Sequence, residues 1–571
     1  MERHPSGRDR VDRTSAGAGR PSGLVAAGIF LSRLTGVGRE RVVGYFFGTG
    51  YAADAFTAAS RIPNLLQNLL GEGVLSASMI PVYSRLLAEG RDDEAGKVAG
   101  AVAGLLAAAV GAVVVVTVAL ARPVTRVLAP GLDEETFELT VQLVRIITPG
   151  IGFLVLSAWC LAVLNSHRRF FLSYVAPVFM NVAQIAVLVC AGAVLLDGIG
   201  NRPSSGQQSS LVVWLAWGVV AGGALQFAVQ LPTVLRVGPA LHPSMRSDLP
   251  GVRQTLQSFV PIVAGRGVVH ISGYLHLVLA SFLALGALSA LRYGQMLYML
   301  PVGLFGMSVA AAELPELSSA SREDPAGIRR RVETGMARIA FFVTPTVVAY
   351  LVIGDLLVGA VFQTGEFDRS DVVQVWVVLA LHALGLLATT GSRLLQSTLY
   401  GIGEPRTPAR VATVRVAVSL LAGVVLMLQL DHVVLTDGGV RVIGDLPAFS
   451  PLPEAFRDPS VQPDRDHLGA AGLSLAAALA SWVEYRLLRR AVDRHVGHVS
   501  LGGGRLRPIV VASAVSGAAA LVVRPMVAGI GPFAAGAIAA ATSVGAYLTT
   551  ASLLRIPEVD QLRRLHRRRR R

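Results

Sequence analysis

Long apolar blocks constrain this chain more than any other feature. Val98–Leu120 is a run of Val, Ala, Leu, Gly and Thr without one charged residue. A block of that length crosses the ~30 Å hydrocarbon core of a bilayer as a helix, and it is too uniformly apolar for a soluble core helix with one wet face. Such blocks recur near 24–48, 52–83, 98–120, 138–164, 172–196, 211–235, 254–284, 287–315, 333–362, 371–400, 410–430, 468–490, 508–527 and 530–553. The 571 residues therefore hold about fourteen spans of about 20 residues each, with little left for a soluble domain. Composition agrees: 15% of residues are charged, against about 25% in an average soluble domain, which excludes an ordinary soluble enzyme.

The formal net charge is +14, and Lys97 is the only lysine, so the basicity lies in arginine. Most arginines fall in loops on one side of the predicted spans, as the positive-inside rule places them. That pattern predicts a multi-pass membrane protein with both termini in the cytoplasm, and it argues against nucleic-acid binding. The C-terminal run Arg567–Arg571 reads as a topology signal and a contact for anionic headgroups. Residues 1–22 form an Arg-rich cytoplasmic tail, and the following apolar run contains Arg33 and no clear cleavage site, so it reads as an uncleaved first helix. Cys160 and Cys190 lie in apolar blocks as inert packing residues, with no metal spacing around them. The loop 431–467 is rich in Pro and Asp and reads as irregular and extracytoplasmic.

Ionisable groups inside the spans are the informative positions, because each costs at least about 2.5–3.5 kcal/mol to insert unless it is paired or wet. Arg33 and Arg39 flank Gly36 and Gly38 on the first span; six residues apart, they stand about 120° apart on a straight helix. On the second span Asp54, Arg61 and Asn68 repeat every seven residues, with Asn64 beside Arg61, which draws a polar stripe. Two readings stand side by side. Arg33, Arg39 and Arg61 line a cavity suited to a diphosphate, since the guanidinium fork binds phosphate oxygens bidentately; or Arg39 and Arg41 snorkel to headgroups and Arg61 pairs with Asp54. Arg266 and His270, four apart on the seventh span, are a second cation patch or a structural pair. Arg145, Arg393 and Arg415 sit near span ends and read as snorkelling, and Glu313, Glu316 and Glu484 as partners of nearby arginines. No phosphate-binding loop, metal spacing or nucleophile motif occurs. A weak repeat, Arg61-Ile-Pro63 to Pro81 and Met299-Leu-Pro301 to Pro315, recurs six spans apart, as expected for two parallel-related lobes.

The strings Ser32-Arg33-Leu-Thr-Gly36…Arg39, Phe47-Gly48-Thr-Gly50-Tyr-Ala-Ala-Asp54-Ala-Phe56, Arg61-Ile-Pro63-Asn64-Leu65, Gly71-Glu72-Gly73…Pro81-Val-Tyr83 and Leu300-Pro301-Val-Gly303-Leu-Phe-Gly306 resemble the MurJ/MviN family of lipid II flippases. The resemblance implies an all-α integral membrane protein of about fourteen transmembrane helices, in two pseudo-symmetric lobes around a central cationic cavity, plus a C-terminal helix pair. The lobes would be 23–235 and 254–490, joined by a cytoplasmic linker 236–253, with the helix pair at 491–553 and a tail at 554–571. It implies flipping of an undecaprenyl-diphosphate-linked peptidoglycan precursor by alternating access. The partners would be that lipid, membrane lipids and the peptidoglycan synthesis machinery. There would be no cofactor, and a membrane potential or ion gradient would drive transport. Arg33 and Arg39 match cavity arginines of the family; Ser32, Asp54, Asn64 and Glu72 match or adjoin its polar positions.

Two departures bear on substrate. Gln67 stands where many members carry another arginine, and the eighth span reads Tyr293-Gly-Gln295-Met296-Leu-Tyr-Met299-Leu-Pro301 where the family usually places Asp, Arg and Glu. Arg266, His270 or Arg292 would then have to supply the missing charge of the second lobe. The alternatives are a degenerate member acting as an envelope scaffold, or an exporter of another lipid-linked oligosaccharide.

Overall fold

The computed structural model describes residues 8–196, 198, 200–238, 241–307, 324–436, 439–444, 446–452, 467–501 and 505–559, with the side chains of all of these except 8–26, 62–63, 72, 264–273, 306–307, 436 and 439. Helices follow the apolar blocks: α1 (Arg8–Phe47), α2 (Tyr51–Leu70), α3 (Glu72–Ala88), α4 (Asp92–Ala119), the short α5 (Ala121–Leu128), α6 (Glu134–Ser166), α7 (Phe170–Leu195), α8 (Ser205–Val237), α9 (Pro250–Ala280) and α10 (Ala287–Pro301), which runs into a π-helical turn at Val302–Met307. Beyond the undescribed residues come α11 (Pro325–Val352), α12 (Gly354–Phe362), α13 (Arg369–Ala383), α14 (Leu386–Gly401), α15 (Arg406–Asp431), α16 (Gly469–Val496), α17 (Leu506–Val523) and α18 (Pro532–Leu553).

Each of the fourteen predicted spans holds a helix or a helix pair. Among the described residues, eight helices are long and apolar enough to cross a membrane, and α13 with α14, bent by 44°, makes a ninth. The block 52–83 divides at Gly71 into α2 and α3, and 333–362 divides after Val352 into α11 and α12. The first helix starts at Arg8, inside the predicted tail, and its 40 residues are about 60 Å long, twice the hydrocarbon thickness.

Several helices start on caps written in the sequence. The Asp133 carboxylate accepts from the Thr136 N–H at 2.9 Å at the head of α6, and Ser204 with Gln207 forms a capping box on α8. The head of α10 is capped from far away: Asp54 accepts from the N–H groups of Gly286 and Ser289 at 2.8 and 2.7 Å. The loop 431–467 is more regular than its composition suggests. Val433–Thr436 (β1) and Gly439–Val442 (β2) pair antiparallel, with Thr436 opposite Gly439. His467 bridges back to Val434.

The chain divides into two compact units, residues 8–47 with 55–274, and residues 48–54 with 275–559. These limits differ from the expected lobes at 23–235 and 254–490. The predicted linker 236–253 is no boundary, because the segment after α8 lies along α4, with the Ser244 N–H donating to the Gly100 carbonyl at 3.3 Å. Val252 and Thr255 at the start of α9 are buried, and Arg85 donates to Gln254 at 2.8 Å, so most of α9 belongs to the first unit. The predicted C-terminal pair likewise packs into the second unit. Tyr547 of α18 donates to the Phe341 carbonyl of α11 at 2.6 Å, and Arg524 reaches the buried Asp355 at 2.7 Å.

In the first unit α6 carries much of the core. The Trp159 indole donates to the Ala99 carbonyl at 3.0 Å, and Gln226 and Gln230 of α8 both donate to the Ser157 hydroxyl. In the second unit α15 lies against α16 along most of its length. Gly472 makes that possible, since a Cβ there would stand 2.5 Å from the Leu426 carbonyl oxygen.

Candidate functional site

Arginines carry the site, and each unit holds a pair of them. In the first unit both sit on α1. Arg33 is exposed and makes no ion pair or hydrogen bond among the described residues. Arg39 is held from two sides: one guanidinium nitrogen pairs with the neighbouring Glu40, and another donates to Asn181 Oδ1 of α7 at 3.3 Å. The Asn181 amide in turn donates to the Ser32 carbonyl and to the Thr35 hydroxyl, at 3.3 and 3.1 Å. This ties Ser32 and Arg39 to one point on α7, while 24% of the Arg39 side chain stays exposed. Gly36 lies under that amide, where a Cβ would still clear it at 3.7 Å, and a Cβ at Gly38 would meet nothing. No close contact requires glycine at either position, and α1 runs unbroken through them.

The predicted stripe on α2 divides. Arg61 is half-buried and its carbonyl accepts from Tyr274 at 3.0 Å; Asn64 is exposed and Gln67 half-buried. The side chain of Glu72 lies outside the described residues. Asp54 belongs to the second unit, where it is 3% exposed and spends both oxygens on the head of α10. Buried and bonded in this way, the Asp54 carboxylate acts as a helix cap inside the second unit rather than as an open group expected in a cavity.

The whole motif Gly48–Asp54 does similar work within the second unit. Gly48 has φ +52 and approaches so closely that a Cβ would stand 2.6 Å from Asp371, the Thr49 hydroxyl donates to Asp371, and Tyr293 donates to the Gly48 carbonyl at 3.3 Å. Only glycine fits the left-handed backbone and the contact together.

Of the three residues expected to replace the missing charge, Arg266 and His270 have side chains outside the described residues, and Arg292 is half-buried on α10 and engaged. The second unit instead places Arg415 of α15 against Glu484 of α16 at 3.2 Å. Gln396 of α14 donates to the other Glu484 oxygen at 2.9 Å. Glu484 is buried, with 3% of its side chain exposed, while Arg415 keeps 37% exposed. The snorkelling read for Arg415 is thereby replaced by a fixed ion pair. Arg393 of α14 is exposed and unpaired among the described residues. The Tyr298 hydroxyl of α10, buried in the same unit, donates to Thr389 of α14 at 2.8 Å. His276 lies 2.9 Å from the Ser419 hydroxyl, and the His382 ring stands 4.2 Å from that of Tyr298.

Sequence reasoning passed over Asn181 and Gln396, since nothing local in the sequence marks either amide as the partner of a distant charged residue. Among the described residues no group of His, Cys, Asp and Glu could hold a metal ion.

Comparison with known proteins fits these features. A profile of the family described as "Lipid II flippase MurJ" matches residues 43–438. The chain is 31% identical over 413 residues to the lipid II flippase MurJ of Burkholderia cenocepacia, covering 71% of this chain and 78% of that protein. It is 28% identical over 506 residues to a probable lipid II flippase MurJ of Vibrio cholerae, covering 84% and 93%. Among solved structures, lipid II flippase MurJ in an inward closed conformation superposes with a TM-score of 0.70 at 20% identity, over 93% of this chain and 98% of that one. An inward-facing multidrug resistance MATE family transporter of the MOP superfamily follows at 0.56 and 14%, over 81% and 95%. These two show the shared fold. On the profile and the relatives, this multi-pass bacterial membrane protein belongs to the lipid II flippase MurJ family.

Proposed function

We propose that this chain carries lipid II, the undecaprenyl-diphosphate-linked peptidoglycan precursor, from the inner to the outer leaflet by alternating access. The observation that carries the reading is the α1 pair: Arg33, exposed and without an ion pair or hydrogen bond among the described residues, and, six residues on, Arg39 oriented by Glu40 and Asn181. A guanidinium kept free inside a span is costly unless it meets an anion or water, and phosphate is the anion its fork fits. Arg33 and Arg39 hold the diphosphate, with Arg61 in support, and the polyprenyl tail stays in the lipid. Fourteen crossings with both termini in the cytoplasm place the basic loops on the inner side, as the arginine distribution asks. Moving about two negative charges outward across 100 mV, inside negative, gains roughly 4–5 kcal/mol, enough to drive the step without a nucleotide.

The test is exposure of lipid II on the outer leaflet of cells in which this chain is the sole candidate flippase. Exposure that depends on its expression, and that Arg33→Ala abolishes in correctly inserted protein, is the expected result. Exposure independent of expression sinks the reading, and full function of Arg33→Ala favours a scaffold.

A further inference from the structure

The second unit holds a cationic cluster that its eighth-span sequence gives no reason to expect. On α14, Arg393 shares a helix face with Thr389 four residues before it and with Gln396, Ser397 and Tyr400 three, four and seven residues after it. A snorkelling arginine lies along an apolar face, with its stem in hydrocarbon. Here the flanking groups are polar, and two of them are already fixed, Thr389 by Tyr298 and Gln396 by Glu484. That face is built for water or an anion.

Arg415 of α15 joins this face through Glu484, the acid that Gln396 also holds. Glu484 takes one guanidinium nitrogen at 3.2 Å and is itself held by Gln396, so both of its oxygens are occupied within the cluster. The acid orients Arg415 without covering it, and over a third of that side chain stays open. One formal positive charge remains beyond the internal pair, and Arg393 carries it unpaired.

We propose that Arg393 and Arg415 form an oxyanion subsite in the second unit that takes the diphosphate of a polyprenyl lipid. The assignment rests on the functional reading above and adds a place where the substrate's phosphates are held. Glu484 and Gln396 are positioning residues that fix the Arg415 fork. Arg393 is the freer ligand and donates to whichever phosphate oxygen comes within reach.

The experiment uses the full chain in nanodiscs of zwitterionic lipid and titrates undecaprenyl diphosphate, with inorganic pyrophosphate as competitor. Arg393→Ala should weaken binding about tenfold, the loss expected for one charge-assisted pair, while leaving the thermal midpoint unchanged because the side chain is exposed. Arg393→Lys should recover part of the affinity, and Glu484→Gln should weaken it less than Arg393→Ala. Pyrophosphate that competes on the wild type and not on Arg393→Ala assigns the subsite to the headgroup alone. A loss in Arg393→Ala without competition by pyrophosphate assigns it to the lipid-borne diphosphate. Unchanged affinity in Arg393→Ala, with binding lost in Arg33→Ala, overturns the subsite and leaves the flippase reading intact. Unchanged affinity in both overturns the two together.

Discussion

The arginine pair of α1 and the pair on α14 and α15 follow one plan by different means. Each has an exposed, unpaired guanidinium, Arg33 or Arg393, and a second that a buried glutamate and a side-chain amide keep in place. In the first unit the arginines share one helix and the glutamate is the next residue, so only the amide of Asn181 comes from a distance. In the second unit α14 brings Arg393 and Gln396, α15 brings Arg415 and α16 brings Glu484. A carboxylate one residue away orients its partner with little help from packing. One on a neighbouring helix does so only if the helices are held in register, as α15 and α16 are by the close approach at Gly472. The first pair is therefore robust to small shifts between helices, and the second depends on them.

Asp54 is where the largest loss is expected, and it separates architecture from ligand binding. Asp54→Ala orphans two buried N–H groups at the head of α10 and should cost roughly 2–4 kcal/mol, read as a lower unfolding midpoint of purified protein in detergent. Asp54→Asn, which keeps one acceptor, should recover part of it. An unchanged midpoint with lost transport would return Asp54 to the substrate.

Next comes Arg33→Ala, expected to lower flipping in proteoliposomes tenfold or more, about 1.4 kcal/mol or above, with no change in midpoint. If it unfolds the protein instead, the free arginine is structural and the likeness between the pairs fails.

The glutamates sharpen the contrast between local and long-range orientation. Glu484→Gln should destabilise by about 1–2 kcal/mol, since it leaves a partly buried guanidinium facing a neutral group across two helices. Glu40→Gln should cost about half of that, because Arg39 keeps Asn181. Equal losses would show that helix register contributes nothing to the second pair.

The smallest effect concerns pH. His167, just beyond the end of α6 and 3.0 Å from the Tyr83 hydroxyl, has its pKa lowered from 6.5 by burial. The unfolded chain then binds this proton more readily than the folded one, so stability is full above pH 6.5 and falls as the pH drops toward the folded value. His167→Gln should flatten the acid side of a stability-versus-pH curve. An acid limb that survives the change unaltered would show that His167 contributes nothing to it.

Hydropathy and arginine position were enough to read a polytopic helical membrane protein, because a bilayer filters each segment by its own length and polarity, which are local properties. The Asp133 and Ser204 caps were equally local. Other features waited for the tertiary structure. The boundary at Tyr274 depends on which unit α9 packs against, the role of Asp54 on a helix more than two hundred residues away, and the second arginine pair on three helices meeting. A lone charged residue in a span announces that something must satisfy it, but the partner is chosen by packing, which no local pattern records.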